Sequence, residues 1–142
     1  MPDDGMMIRS YNINKHDTGE SCNLADVVVV EEPLEIKLAY STATGYLRKT
    51  IAITMRTPGC DEALATGFLF TEGILTPEAV KKLSIKNTHD PNSILIQAPE
   101  NYLPQLQNAE RNFYSHSSCG ICGKTNIEST RQLSPFEFVI AF

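Results

Sequence analysis

Pro33-Leu34-Glu35-Ile36-Lys37-Leu38 sets apolar residues at every second position and charged ones between them. Period two is the pattern of a strand with one face buried and one face wet. Upstream, Val27-Val28-Val29-Val30 is continuous and β-branched, which predicts a buried strand interrupted by Glu31-Glu32-Pro33. Downstream, Ser41-Thr42-Ala43-Thr44-Gly45 has turn composition, and residues 46–55 form a second strand with Leu47, Ile51 and Ile53 as its inward side chains. The two strands make a hairpin. After Pro58-Gly59 the period lengthens. Leu64, Phe68 and Leu75, with Ala63, Gly67 and Ile74 beside them, predict a helix. Asp61 and Glu62 favour its first turn, and Glu72-Gly73 ends it. Thr76-Pro77 caps and starts a shorter helix. Residues 83–86 and 93–97 read as short strands around the turn His89-Asp90-Pro91-Asn92. The fold class expected is therefore α+β.

The flanks carry less. Residues 1–22 are polar and show no period, so a loose tail is expected there, with one domain over residues 23–142. Residues 98–118 are irregular and polar. Ser134-Pro135-Phe136-Glu137 has a capping-box pattern opening an apolar element, inside which the chain stops. That predicts a chain whose C-terminal half is absent.

A formal charge of −5 argues against broad contact with a phosphate backbone, so no nucleic-acid partner is expected. Asp3 and Asp4 replace the basic start of a signal peptide, and the longest apolar run is far too short for a membrane span. A cytoplasmic protein follows, and in that reducing compartment disulfides between the four cysteines are the weaker reading. Cys22 and Cys60 stand alone and read as ordinary packed or half-exposed side chains.

The chemistry lies in Ser118-Cys119-Gly120-Ile121-Cys122-Gly123. Two cysteines at this spacing can share a metal, form a disulfide or pass on a sulfur atom. Zinc requires two more ligands, and Cys22, Cys60, His16, His89 and His116 offer no second pair. A thioredoxin-like pair follows a strand and opens a helix, whereas Phe113-Tyr114-Ser115-His116-Ser117-Ser118 is loop-like. The third reading is a mobile loop presenting a nucleophilic thiol. Small polar flanks favour it, and His116, Lys124 and Arg111 are cations or donors able to lower a thiol pKa, although each is equally ordinary as a solvated side chain.

Three blocks together resemble the FdhD/NarQ family of formate dehydrogenase accessory sulfurtransferases. They are Glu31-Glu32-Pro33-Leu34-Glu35-Ile36; Arg56-Thr57-Pro58-Gly59 with Asp61, Leu64, Gly67-Phe68-Leu69 and Glu72-Gly73-Ile74; and the cysteine block itself. The resemblance implies a small β-rich N-terminal part leading into a cytidine deaminase-like α/β core, truncated here, with the cysteine loop at about residues 113–125. It implies a homodimer that takes sulfur from a cysteine desulfurase and delivers it to the molybdenum or tungsten bis-pterin guanine dinucleotide cofactor of formate dehydrogenase. Cys119 would bear the persulfide with Cys122 as its partner, no metal would be held, and most guanine-dinucleotide contacts would lie in the absent half. Deamination is not expected, because His-x-Glu and Pro-Cys-x-x-Cys are missing. A non-catalytic chaperone for the cofactor or enzyme, and a small zinc module, are the competing functions. Around Arg56, Pro58-Gly59 and Asp61 an anion site competes with a plain strand-to-helix turn carrying an exposed arginine, and the plain turn is favoured.

Overall fold

The structure is a computed structural model and describes residues 7–86 and 88–106. Its elements are β1 (Ile8–Asp17), β2 (Glu20–Val29), β3 (Glu32–Thr42), β4 (Gly45–Arg56), α1 (Asp61–Thr71), α2 (Pro77–Val80), β5 (Ser84–Lys86) and β6 (Ser93–Gln97). The described residues are thus mixed α+β, with β1 and β2 forming one sheet and β4-β3-β6-β5 the other.

The alternation at Leu34, Ile36 and Leu38 works as expected, for all three are fully buried. They face Ala65 and Leu69 of α1, Ile74 and Leu75 beyond it, Ala79 of α2, and Ile94 and Ile96 of β6 in one apolar cluster. β3 is central, paired antiparallel with β4 and parallel with β6. Its other face is covered too. Register places Ile53 opposite Glu35 and Leu95 beside Lys37, and both apolar residues are buried there together with Ala39.

The trio predicted to point inward from β4 is split by a bulge. Ile36 pairs with Ala52 and Lys37 with Thr50, so Ile51 is an extra residue without a partner. An inserted residue breaks period two. Ile51 joins the main cluster and Ile53 lies on the opposite face. Leu47, near the turn on an edge strand, stays 47% exposed.

Helix α1 ends where Glu72-Gly73 predicts, and the hydrogen bonds show why. The Ile74 N–H reaches back to Leu69 O and the Gly73 N–H to Phe70 O, both at 3.0 Å, with Gly73 at φ 67°. This is a Schellman motif, whose left-handed residue suits glycine. The buried stripe, however, is Ala65 and Leu69; Phe68 only flanks the core and Leu64 is exposed. Leu75 is buried from beyond the helix. At α2 the Ala79 N–H donates to Thr76 Oγ1 at 3.3 Å, with Pro77 in the first turn as expected. Tyr102 Oη accepts from the Thr76 N–H at 3.0 Å and donates to Ile74 O, tying the segment after β6 to the link between the helices.

The largest departure is at the start. Residues 8–22, expected as a loose tail, belong to a ten-rung hairpin whose turn, Thr18-Gly19, has positive φ at both positions (45° and 93°). That is the type I′ geometry that matches strand twist. Val27, Val28 and Val29 are in a strand, but an exposed one. Among the described residues β2 pairs only with β1 and both strands are exposed almost throughout, so no burial period shows in the sequence.

Leu69→Ala should destabilise the fold by about 2–5 kcal/mol, the range for emptying a packed site, and Leu64→Ala by less than about 1 kcal/mol. Urea unfolding followed by circular dichroism compares them; equal losses would place the wrong face of α1 inward.

Candidate functional site

Cys119 and Cys122 lie outside the described residues, as do His116, Arg111, Lys124 and the capping-box segment at 134–137. Within them, the second motif block forms a definite construction around Arg56.

β4 ends at Arg56, Gly59 at φ 130° turns the chain, and α1 begins at Asp61. The five-residue spacing brings the guanidinium back onto the carboxylate. Arg56 Nε donates to Asp61 Oδ1 at 2.9 Å and Nη2 to Asp61 Oδ2 at 3.0 Å, a bidentate fork. Nη2 also donates to Pro91 O at 3.0 Å, and Nη1 stands 3.9 Å from Glu32 Oε2. The Arg56 side chain is 5% exposed. The exposed arginine of the plain-turn reading is therefore corrected: a strand-to-helix turn is present, with its arginine buried and paired. The Nε and Nη2 edge of the guanidinium is taken up by Asp61, while Nη1, equally buried, has no hydrogen-bond partner among the described residues. The helix start lacks a side-chain cap at Cys60, and Asp61 and Glu62 supply the favourable negative charge instead.

The carbonyl that Arg56 grips belongs to a tightly bonded loop. Asp90 Oδ1 accepts from the Asn92 N–H at 2.8 Å, Thr88 Oγ1 donates to the carbonyls of Asp90 and Ser93, and the Glu35 N–H donates to Asn92 O. Arg56 thus joins the end of β4, the start of α1 and the loop entering β6, with Glu32 at the start of β3 nearby. An open pocket of about 220 Å³ adjoins it, bordered by Asp61, Glu62, Lys86 and Asp90. The sequence reading missed this pocket, since its walls come together only when the loop before β6 folds beside α1.

Cys22 on β2 and Cys60 at the N-terminus of α1 are free and exposed, more open than the packed or half-exposed role expected of them. Among the described residues no three His, Cys, Asp or Glu side chains are grouped to hold a metal ion. No described helix is long and apolar enough to cross a membrane.

A sequence model of the FdhD/NarQ family matches residues 29–139, which include the Arg56 block and both cysteines of the pair. The chain belongs to the FdhD/NarQ family. Among curated FdhD/NarQ relatives, a protein of Picrophilus torridus is 42% identical over 106 residues, covering 75% of this chain and 37% of its own length. One from Mycolicibacterium paratuberculosis is 37% identical over 127 residues, covering 83% and 43%. A Streptomyces coelicolor protein is 40% identical over 115 residues, covering 75% and 37%. All three are named sulfur carrier protein FdhD. The chain spans about two fifths of the length of these relatives. No solved structure matches it at a significant level.

Removing Asp61's charge should hurt more than removing that of Glu32. Asp61→Asn leaves a buried guanidinium without its hydrogen-bonded counter-charge, with only Glu32 at 3.9 Å, and should cost about 3 kcal/mol or more. Glu32→Gln loses only a 3.9 Å contact to a half-exposed carboxylate and should cost about 0–1 kcal/mol. Arg56→Lys, which cannot form the fork, should resemble Asp61→Asn in a denaturant midpoint measurement.

Proposed function

We propose that this chain is a sulfurtransferase that carries sulfane sulfur as a persulfide on Cys119 and delivers it to the molybdenum or tungsten bis-pterin guanine dinucleotide cofactor of formate dehydrogenase. The observation that carries the reading is the placement of Cys119-Gly120-Ile121-Cys122 inside the span matching the family, whose curated relatives are named sulfur carriers. The proposed donor is a cysteine desulfurase, and the proposed setting is the cytoplasm, where thiols stay reduced. A homodimer and a cytidine deaminase-like core belong to the same reading. Residues contacting the guanine dinucleotide are sought in the part of the relatives beyond this span.

The chemistry needs nothing beyond thiols. Cys119 thiolate attacks the outer sulfur of the donor's persulfide; the donor S–S bond breaks, and the donor cysteine leaves as a thiolate. Cys119 then holds one extra sulfur. For delivery, Cys122 thiolate attacks Sγ of Cys119, and the outer sulfur leaves with its electron pair as hydrosulfide, to become a ligand of the client metal. A Cys119–Cys122 disulfide remains, and a thiol reductant restores the pair. A neighbouring cation would favour both thiolates, the role open to His116, Lys124 or Arg111.

After incubation with a cysteine desulfurase and cysteine, cyanide should release thiocyanate from the chain in stoichiometric amount. Cys119→Ala should reduce this to background, whereas Cys122→Ala should load normally and release sulfur slowly. Activation of formate dehydrogenase by the Cys119→Ala, Cys122→Ala double variant would instead establish a non-catalytic chaperone. Tightly bound zinc in protein purified without chelator would establish a metal module.

A further inference from the structure

Beside the Arg56 fork, the pocket of about 220 Å³ contains a group that the fold does not account for. Ser93, at the start of β6, lines it and is only 8% exposed. Its N–H donates to Asp90 O at 3.2 Å and its carbonyl accepts from Thr88 Oγ1. Its hydroxyl is buried and has no hydrogen-bond partner among the described residues. A buried hydroxyl left unpaired costs free energy, so one that lines a pocket points to a polar group bound there. Arg56 Nη1 and Asn92 Oδ1 are buried and unpaired in the same corner, although neither residue lines the pocket.

The walls define the kind of group. Asp61, Glu62 and Asp90 bring three carboxylates, against one ammonium from Lys86. With Arg56 and the Glu32 carboxylate beside it included, four carboxylates stand against two cations, an excess of two negative charges. That balance disfavours an anion, even at the N-terminus of α1. Among the described residues the carboxylates are not grouped closely enough to hold a metal ion. A cation that serves them must therefore carry several separated donors. A guanidinium does so, with five N–H groups in one rigid plane. Ile85 and Ile94 supply an apolar wall for the methylene stem behind such a head. The volume is below the roughly 300–1,000 Å³ of pockets that enclose whole small molecules, and it suits one side chain.

We infer that this pocket takes the guanidinium of an arginine side chain presented by a partner polypeptide. Glu62 and Asp90 accept from its N–H groups, and Ser93 Oγ completes the set. Asp61, although forked to Arg56, keeps a further lone pair on each oxygen. Arginine is enriched among the side chains that anchor protein contacts, because a charged head and an apolar stem are used together. The site includes neither cysteine of the pair, so it is independent of the thiol chemistry proposed above.

The test uses the 142-residue chain, isotope-labelled and followed by its amide NMR shifts. The probe is the capped tripeptide acetyl-Gly-Arg-Gly-amide. Saturable shifts centred on Glu62, Thr88, Asp90 and Ser93 are expected, with a dissociation constant of about 1–10 mM. The same peptide carrying citrulline keeps the side-chain shape without the charge, and should bind at least about tenfold more weakly. Glu62→Gln and Asp90→Asn should each weaken the arginine peptide by about threefold or more. Ser93→Ala separates a ligand role from a structural one. Because the hydroxyl lacks a partner among the described residues, its removal should leave the urea midpoint unchanged or raised, while binding falls about threefold or more. No saturable binding, shifts centred elsewhere, equal binding of the arginine and citrulline peptides, or a Ser93→Ala chain that binds undiminished would each overturn the proposal.

Discussion

A charged side chain buried between three segments organises what is described of this molecule. The Arg56 guanidinium is taken out of water at a cost that only its surroundings can offset. Asp61 supplies a matched carboxylate through two short hydrogen bonds, and Pro91 supplies a carbonyl. Those partners come from the first turn of α1 and the loop entering β6, while Arg56 itself ends β4. The arrangement fixes where the helix leaves the sheet. That in turn aims Ala65 and Leu69 at Leu34, Ile36 and Leu38. Apolar packing supplies the larger stabilising term, but it is non-directional; the fork defines one geometry among several that would bury similar area.

The motif block Arg56-Thr57-Pro58-Gly59, followed by Asp61, gains a physical meaning from this. Pro58 and Gly59 reverse the chain within a few residues, and Gly59 holds a backbone angle that other residues seldom adopt. The reversal brings acid and base together. A helix start beside an arginine reads from sequence as an anion site or a plain turn with an exposed arginine; the folded chain has the turn, but with its arginine buried and paired to Asp61. Charged residues are expected outside unless paired, and the partner five positions on was the available signal.

What could be read from sequence follows from where one-sided burial exists. Leu34, Ile36 and Leu38 were legible because one face of β3 meets the helices and the side chains between them are charged. Gly73 and Thr76-Pro77 were legible because helix ends have local chemistry. Ile51 and Ile53 were assigned to one face because a bulge leaves no mark on composition. Residues 8–17 and the valines at 27–29 were misread for a common reason: a ribbon exposed on both faces imposes no period, and a valine run looks buried whether or not anything covers it. Only Gly19 in the turn hinted at the hairpin. The cysteine pair was legible as chemistry from its spacing and small neighbours, and the family match covers it; its position relative to the Arg56 region lies outside the described residues.

The functional account rests on Cys119 as the atom that holds sulfur. Cys22 and Cys60 are exposed free thiols and compete for the same persulfide, which makes the location of the sulfur decisive. The measurement is peptide mapping by mass spectrometry after loading the chain with a cysteine desulfurase and cysteine. The account predicts added mass of one sulfur atom on the peptide containing Cys119, lost when a reductant is supplied. Sulfur found on Cys22 or Cys60 instead, or loading undiminished in Cys119→Ala, would contradict it.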